Sequence, residues 1–159
     1  MNQDEYQIKN ITKPSDLEID FMSGSSLAEV CKLLHKLRSH LSFNEVCQRV
    51  NSQLNNGYDL VLATRNEVVE GVIGFRIASN LALGGHMHIE DFVIRQDTDF
   101  AALGGEMLQW LKRFAADVGC AEVFYNSSIF YDTEHVFLLE QGFRAKVHHF
   151  ALIAQDGEI

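Results

Sequence analysis

The sequence predicts one α/β (α+β) domain over residues 1–159, a mixed and mostly antiparallel central sheet flanked by helices. Three observations carry that expectation. Two helical stripes come early, two strand-like runs separated by three residues follow them, and a strand, a long amphipathic helix and another strand then succeed one another as in a crossover. The expected order is β α α β β β α β α β.

Tyr6 to Ile11 reads as the first strand, and Pro14 is placed in a loop. Leu27, Val30, Cys31, Leu34, Leu37 and Leu41 recur at helical spacing behind Ser23-Gly24-Ser25-Ser26, which offers N-cap candidates. Phe43, Val46, Cys47, Val50 and Leu54 form a second stripe, capped by Ser42 with Glu45 three residues on and stopped at Asn55-Asn56-Gly57. Tyr58 to Thr64 and Val68 to Ala78 suit a hairpin turning through Arg65-Asn66-Glu67. His86 to Arg95 is the next strand, after the turn signal Gly84-Gly85. Phe100, Leu103, Met107, Leu111, Phe114 and Val118 then share one stripe of a central helix, and Gly119 stands where a helix stops. A strand over Ala121 to Tyr125, a short helix over Thr133 to Gln141 closed by Gly142, and a last strand over Phe143 to Ile153 complete the order.

Composition bounds the function. With 47% apolar and 22% charged residues the chain is ordinary for a globular protein. A formal charge of -9 argues against nucleic acid or an anionic membrane, which are held by clustered Lys and Arg, and mildly favours an amine-bearing partner. Met1 to Lys9 are polar and acidic, with no apolar core of a signal peptide, and no stretch has bilayer-spanning length, so a cytoplasmic location is expected. Cys31, Cys47 and Cys120 lie far apart in apolar patterns and read as reduced core residues.

Two segments point to chemistry. Ile89-Glu90-Asp91-Phe92-Val93-Ile94, a short acidic loop and Ala102-Leu103-Gly104 opening a helix resemble the acetyl-CoA signature of the GNAT acetyltransferase superfamily. The order of elements resembles it too. In that family an Arg/Gln-x-x-Gly-x-Gly/Ala loop holds the CoA pyrophosphate, and counting from Ile89 its positions fall on Asp99, Ala102 and Gly104. The segment Glu134 to Phe143 is similar to the family's Ala-His-x-Phe-Tyr-x-x-x-Gly-Phe, with His135, Phe137, Gly142 and Phe143 matching and Leu138 in place of the tyrosine.

The resemblance implies acetyl transfer from acetyl-CoA to an amine of a small molecule or peptide. The alternative is a catalytically silent GNAT-like module that keeps the fold for binding. Phe92, Val93 and Ile94 would offer backbone groups to the pantetheine arm beside a β-bulge, and Asp99, Ala102, Leu103, Gly104 and Gly105 would surround the pyrophosphate. Phosphate suits a helix start because its first amides are unpaired and carry a positive partial charge. Asp99 departs from the pattern. Facing phosphate, with Asp97 nearby, its carboxylate would cost on the order of 1–3 kcal/mol, whereas as a helix cap it would occupy the same amides.

Aminolysis of a thioester needs a base for the amine and an acid for the leaving thiolate. Strand alternation sends His86, His88 and Glu90 to one face and Met87, Ile89 and Asp91 to the other. Glu90 is the first candidate for the base, Asp91 the second, and His88 could share the role; a plain ion pair is the competing reading of Glu90. With Leu138 unable to give a proton, Tyr131 just ahead of the short helix is the nearest acid, against solvent or the substrate's own ammonium. His86-x-His88 and His148-His149 lack a third ligand, so no metal site is assigned. His35 and His40 are expected at the surface. Phe124, Tyr125, Phe130, Tyr131, Phe137 and Phe143 are expected in the core. A homodimer suits so small a domain.

Overall fold

A computed structural model describes residues 5–19 and 26–154 of the chain. It divides into two compact units, Met1–Asn126 and Ser127–Ile159.

The first unit holds a five-stranded sheet in the order β1-β2-β3-β4-β5. Strand β1 (Gln7–Ile11) leads to a short helix, α1 (Pro14–Ile19), where a loop was expected. Proline is tolerated there because it opens the first turn, where its missing N–H would have no intrahelical partner. The Asp16 carboxylate reaches back to accept from the backbone N–H groups of Thr12 (3.1 Å) and Lys13 (2.9 Å). Helix α2 (Ser26–Leu37) follows; the cap candidates Ser23 to Ser25 lie outside the described residues. Helix α3 (Phe43–Leu54) carries the expected capping box, with Ser42 and Glu45 satisfying one another's backbone N–H groups.

Strands β2 (Tyr58–Arg65) and β3 (Val68–Asn80) pair through a two-residue turn, Asn66 and Glu67, both at positive φ as a type I′ turn demands. Strand β4 (Gly84–Ile94) pairs antiparallel with β3. It then feeds helix α4 (Phe100–Asp117), which returns the chain to the parallel partner β5 (Glu122–Tyr125). Helix α4 ends in a Schellman motif: Gly119 sits at φ 82°, its N–H donates to Ala116, and that of Cys120 donates to Ala115.

The sheet is covered on both faces. Val30, Cys31, Leu34, Val46, Val50 and Leu54 of α2 and α3 pack with Tyr58, Leu60, Leu62 and Val72 on one face. On the other, α4 buries Leu103, Met107 and Leu111, each worth roughly 1.5–3 kcal/mol. There the Phe114 ring meets Phe75 edge-on, and a Cβ added to Gly71 would come within 2.5 Å of Met107 Sδ. All three cysteines are free, Cys31 fully buried and Cys47 and Cys120 half-buried.

The second unit contains helix α5 (Asp132–Glu140), closed by a Schellman motif on Gly142 at φ 95°. The expected last strand is not formed: residues 143–154 carry no regular secondary structure. A strand requires a hydrogen-bonded neighbour, and β propensity alone does not supply one. Phe150 and Leu152 of this run are 91% and 95% exposed. The aromatic group is likewise not uniformly core. Phe137 is buried and Phe124, Tyr125 and Phe143 are half-buried, but Phe130 and Tyr131 are exposed.

Candidate active site

The site candidates of the first unit gather along the second half of β4. Pairing of β3 with β4 matches Phe75 to Ile89 and Gly74 to Asp91, so Glu90 has no partner opposite it. This is a β-bulge. The buried face of β4 therefore passes from Met87 and Ile89 to Phe92, whose ring meets those of Phe100 and Tyr125. Val93 packs with the core on the α2 and α3 side. Simple alternation placed Glu90 and Asp91 on opposite faces; the bulge brings them to the same one. Glu90 meets Arg76, whose guanidinium lies over the Tyr58 ring, and Asp91 meets the Tyr58 hydroxyl.

Both carboxylates are held. Arg76 Nε donates to Glu90 Oε1 at 2.9 Å, while Arg76 also donates to the Asn56 carbonyl at 2.6 Å and to Gln53 Oε1. The ion-pair reading of Glu90 is thus realised. Its other oxygen, Oε2, accepts from no described residue. Asp91 is more constrained, with Arg38 Nε and Nη2 on Oδ1 (3.0 and 2.8 Å) and the Tyr58 hydroxyl on Oδ2 (2.7 Å). Both of its oxygens are occupied, which removes it as a free base. Burial first, and the Asp91 carboxylate second, push the Tyr58 phenol far above its ordinary range. Tyr58 therefore stays protonated and donates.

The second feature of the site is an opening. Parallel pairing of β4 with β5 ends at Ile89 and Tyr125, while pairing with β3 continues to Ile94. Beyond Ile89 and Tyr125 strands β4 and β5 part. Phe92, Val93 and Ile94 lie past that point on β4, the first buried and the others half-buried.

Past Ile94 the chain turns into α4 through a loop tied to β3. Glu70 sits at a second bulge, since Thr64 pairs with Val69 and Ala63 with Gly71. Its carbonyl accepts from Arg95 N at 2.7 Å, and its carboxylate accepts from Thr98 Oγ1 and from Arg65, all at 3.0 Å. Asp97 pairs with Arg95 at 2.8 Å, so its charge is partly offset. Asp99 is the N-cap of α4 and its Oδ1 accepts from Ala102 N at 3.0 Å, as the capping reading requires. The first turn is not uniformly open. Ala101 and Ala102 are exposed, Leu103 and Gly104 are buried and Gly105 is half-buried, so the glycine expected beside phosphate faces inward.

Tyr131 belongs to the second unit, where it is the N-cap residue of α5, 59% exposed and without a capping side-chain bond. Leu138 is buried. The His86 ring lies against Phe124 with centroids 5.3 Å apart. His35 is half-buried, its Nε2 donating to the Leu41 carbonyl at 3.0 Å, which is more structural than the surface role expected; His40 is exposed. Among the described residues no three His, Cys, Asp or Glu side chains are grouped to hold a metal, and no helix is long and apolar enough to cross a membrane. Sequence reasoning missed Arg38, Tyr58 and Arg76. Each reaches β4 from a distant element, and nothing local marks them.

No protein-family model and no curated protein matches the sequence. Solved structures do match. An acetyltransferase of Trypanosoma brucei is 21% identical with a TM-score of 0.69, covering 94% of this chain and 99% of its own. A GNAT family acetyltransferase of Staphylococcus aureus is 19% identical with a TM-score of 0.71, covering 93% and 98%. The aminoglycoside N-acetyltransferase AAC(6')-Iy, solved in complex with CoA, is 11% identical with a TM-score of 0.76 and 96% of each chain covered. With the bulged β4, the parting of β4 from β5 and the helix that follows, these likenesses establish that the chain has the GNAT acetyltransferase fold.

Proposed function

We propose that the protein moves an acetyl group from acetyl-CoA to an amine of a small molecule or peptide. The observation that carries this reading is the edge of β4 from which β5 parts after Ile89, on a strand that leads through a short loop into the start of α4. An extended amide-bearing arm such as pantetheine can pair with such an edge as another strand would. The backbone of Phe92, Val93 and Ile94 would hold that arm. The exposed first turn at Ala101 and Ala102, with Asp99, Leu103, Gly104 and Gly105 around it, would receive the pyrophosphate.

In the transfer step the lone pair of the neutral amine attacks the thioester carbon, and negative charge gathers on the carbonyl oxygen. A backbone N–H beside the bulge can stabilise that charge. Glu90 would take the amine's proton on Oε2, directly or through water, while Arg76 holds Oε1 and orients the carboxylate. Collapse then expels the CoA thiolate, which gains a proton from water or the one that Glu90 has taken. The solved neighbour that carries CoA supports the cofactor class, and the acidic chain suits an amine acceptor.

Calorimetric titration with acetyl-CoA and CoA tests the reading, with Ala102→Glu as the informative variant. Glutamate in a first helical turn is neutral or favourable for stability but repels phosphate. A folded variant that binds at least about tenfold more weakly at low salt, with a loss that shrinks as salt rises, is expected. Unchanged affinity would place the cofactor elsewhere. Binding without transfer to any of a panel of amines would favour the silent-module reading, and no binding at millimolar ligand would end the enzyme reading.

A further inference from the structure

We propose that Arg38 is a positioning residue that holds the β4 bulge in its open form, and so keeps the cofactor-facing edge of β4 in register. The inference rests on the reading of β4 as the acetyl-CoA edge, but its physical part does not.

A bulge leaves a backbone carbonyl without its ladder donor. At Glu90 that acceptor is the main-chain oxygen, and Arg38 Nη2 donates to it at 2.9 Å. The same guanidinium binds Asp91 Oδ1 through Nε and Nη2, so one side chain grips both neighbouring residues of the bulge, one by its backbone and the other by its carboxylate. Arg38 is itself fixed. It follows the last turn of α2, its N–H donating to Leu34 at 2.9 Å and its carbonyl accepting from Leu41 N at 3.0 Å. Asp91 is braced from the other side by Tyr58, which fills the space that a side chain on Gly74, the residue paired with Asp91, would take.

The competing arrangement of β4 is a plain strand without the bulge. Removing the extra residue would shift register by one beyond Ile89 and turn Phe92 out of the core. That burial already disfavours the slip. Arg38 adds a second term, because with the bulge closed its guanidinium would lose both the Glu90 carbonyl and the Asp91 carboxylate. A lysine could reach one acceptor but cannot present a fork to two.

The experiment uses the full chain with Arg38→Met, which keeps the aliphatic stem and removes every donor, and Arg38→Lys as the milder variant. Backbone amide exchange is read without ligand, and CoA affinity is read separately. In Arg38→Met the amides of Glu90 to Val93 should exchange at least about tenfold faster, the equivalent of a lost hydrogen bond to a charged group, while those of the β1–β2 ladder keep wild-type rates. CoA should bind at least about tenfold more weakly, with Arg38→Lys intermediate in both measurements. Wild-type exchange at Glu90 to Val93, or an equal rise across the whole sheet, overturns the clamp. If Arg38→Met does not fold, the same two patterns in Arg38→Lys decide it. A wild-type protein that ignores CoA would sink the proposed function alone, because the exchange result stands without ligand.

Discussion

Gly74→Ala is the substitution whose cost the structure sets most sharply. Gly74 does not lie at positive φ, so alanine suits its backbone and, by restricting the unfolded chain, would add about 0.4–1 kcal/mol of stability if space allowed. Space does not allow it. The new Cβ would fall on the Tyr58 hydroxyl and lie 2.7 Å from Tyr58 Cε2, and Tyr58 is only 3% exposed. Either the ring is forced aside, breaking its 2.7 Å bond to Asp91, or the strands separate. Overpacking costs about 1–3 kcal/mol, and a hydrogen bond to a charged group is worth about 1.5–3 kcal/mol. The net loss should be about 2–5 kcal/mol, or roughly 5–15 °C in Tm for a chain of this size. Thermal and denaturant unfolding of Gly74→Ala, Tyr58→Leu and the double variant measure it. In the Tyr58→Leu background the alanine should cost almost nothing, a coupling of at least about 2 kcal/mol. An equal loss in both backgrounds, or a single variant as stable as wild type, would refute the argument.

Three further outcomes are expected. Asp99→Asn keeps a capping oxygen and removes the charge, so stability should hold within about 0.5 kcal/mol while CoA affinity rises several-fold at low salt; unaltered affinity across salt would show that Asp99 does not face phosphate. Glu90→Gln should lower the acetylation rate about a hundredfold or more and remove the low-pH limb of the rate profile with little change in CoA affinity, and full activity would hand proton removal to His88 or water. Burial, with Asp16 next, raises Asp59 above the ordinary 3.8. An acid raised on folding contributes stability that is present below its unfolded value and lost as pH rises through its folded one. Asp59→Asn should therefore increase Tm at neutral pH, with the gain vanishing below pH 3.8; a gain independent of pH would count against it.

What the sequence determined by itself was what neighbouring residues determine. The Ser42 and Glu45 box, the helix stops at Gly119 and Gly142 and the Asp99 cap all depend on contacts within a few positions, and each is present in the structure; the turn expected through Arg65-Asn66-Glu67 is also there, shortened to Asn66-Glu67 because Arg65 pairs with Val68 in the ladder. The strand expected over Phe143 to Ile153 did not form, because a strand also needs a neighbour that its own residues cannot specify. The site depends on longer reach. A bulge exists only between two strands, and the one at Glu90 reversed the facing that alternation predicted for Asp91. The carboxylates are held by Arg76, Tyr58 and Arg38, which lie 14 to 53 positions away in the chain. Only the tertiary structure could bring them together, since hydrogen bonding to a distant acceptor leaves no period or spacing in the sequence to be read.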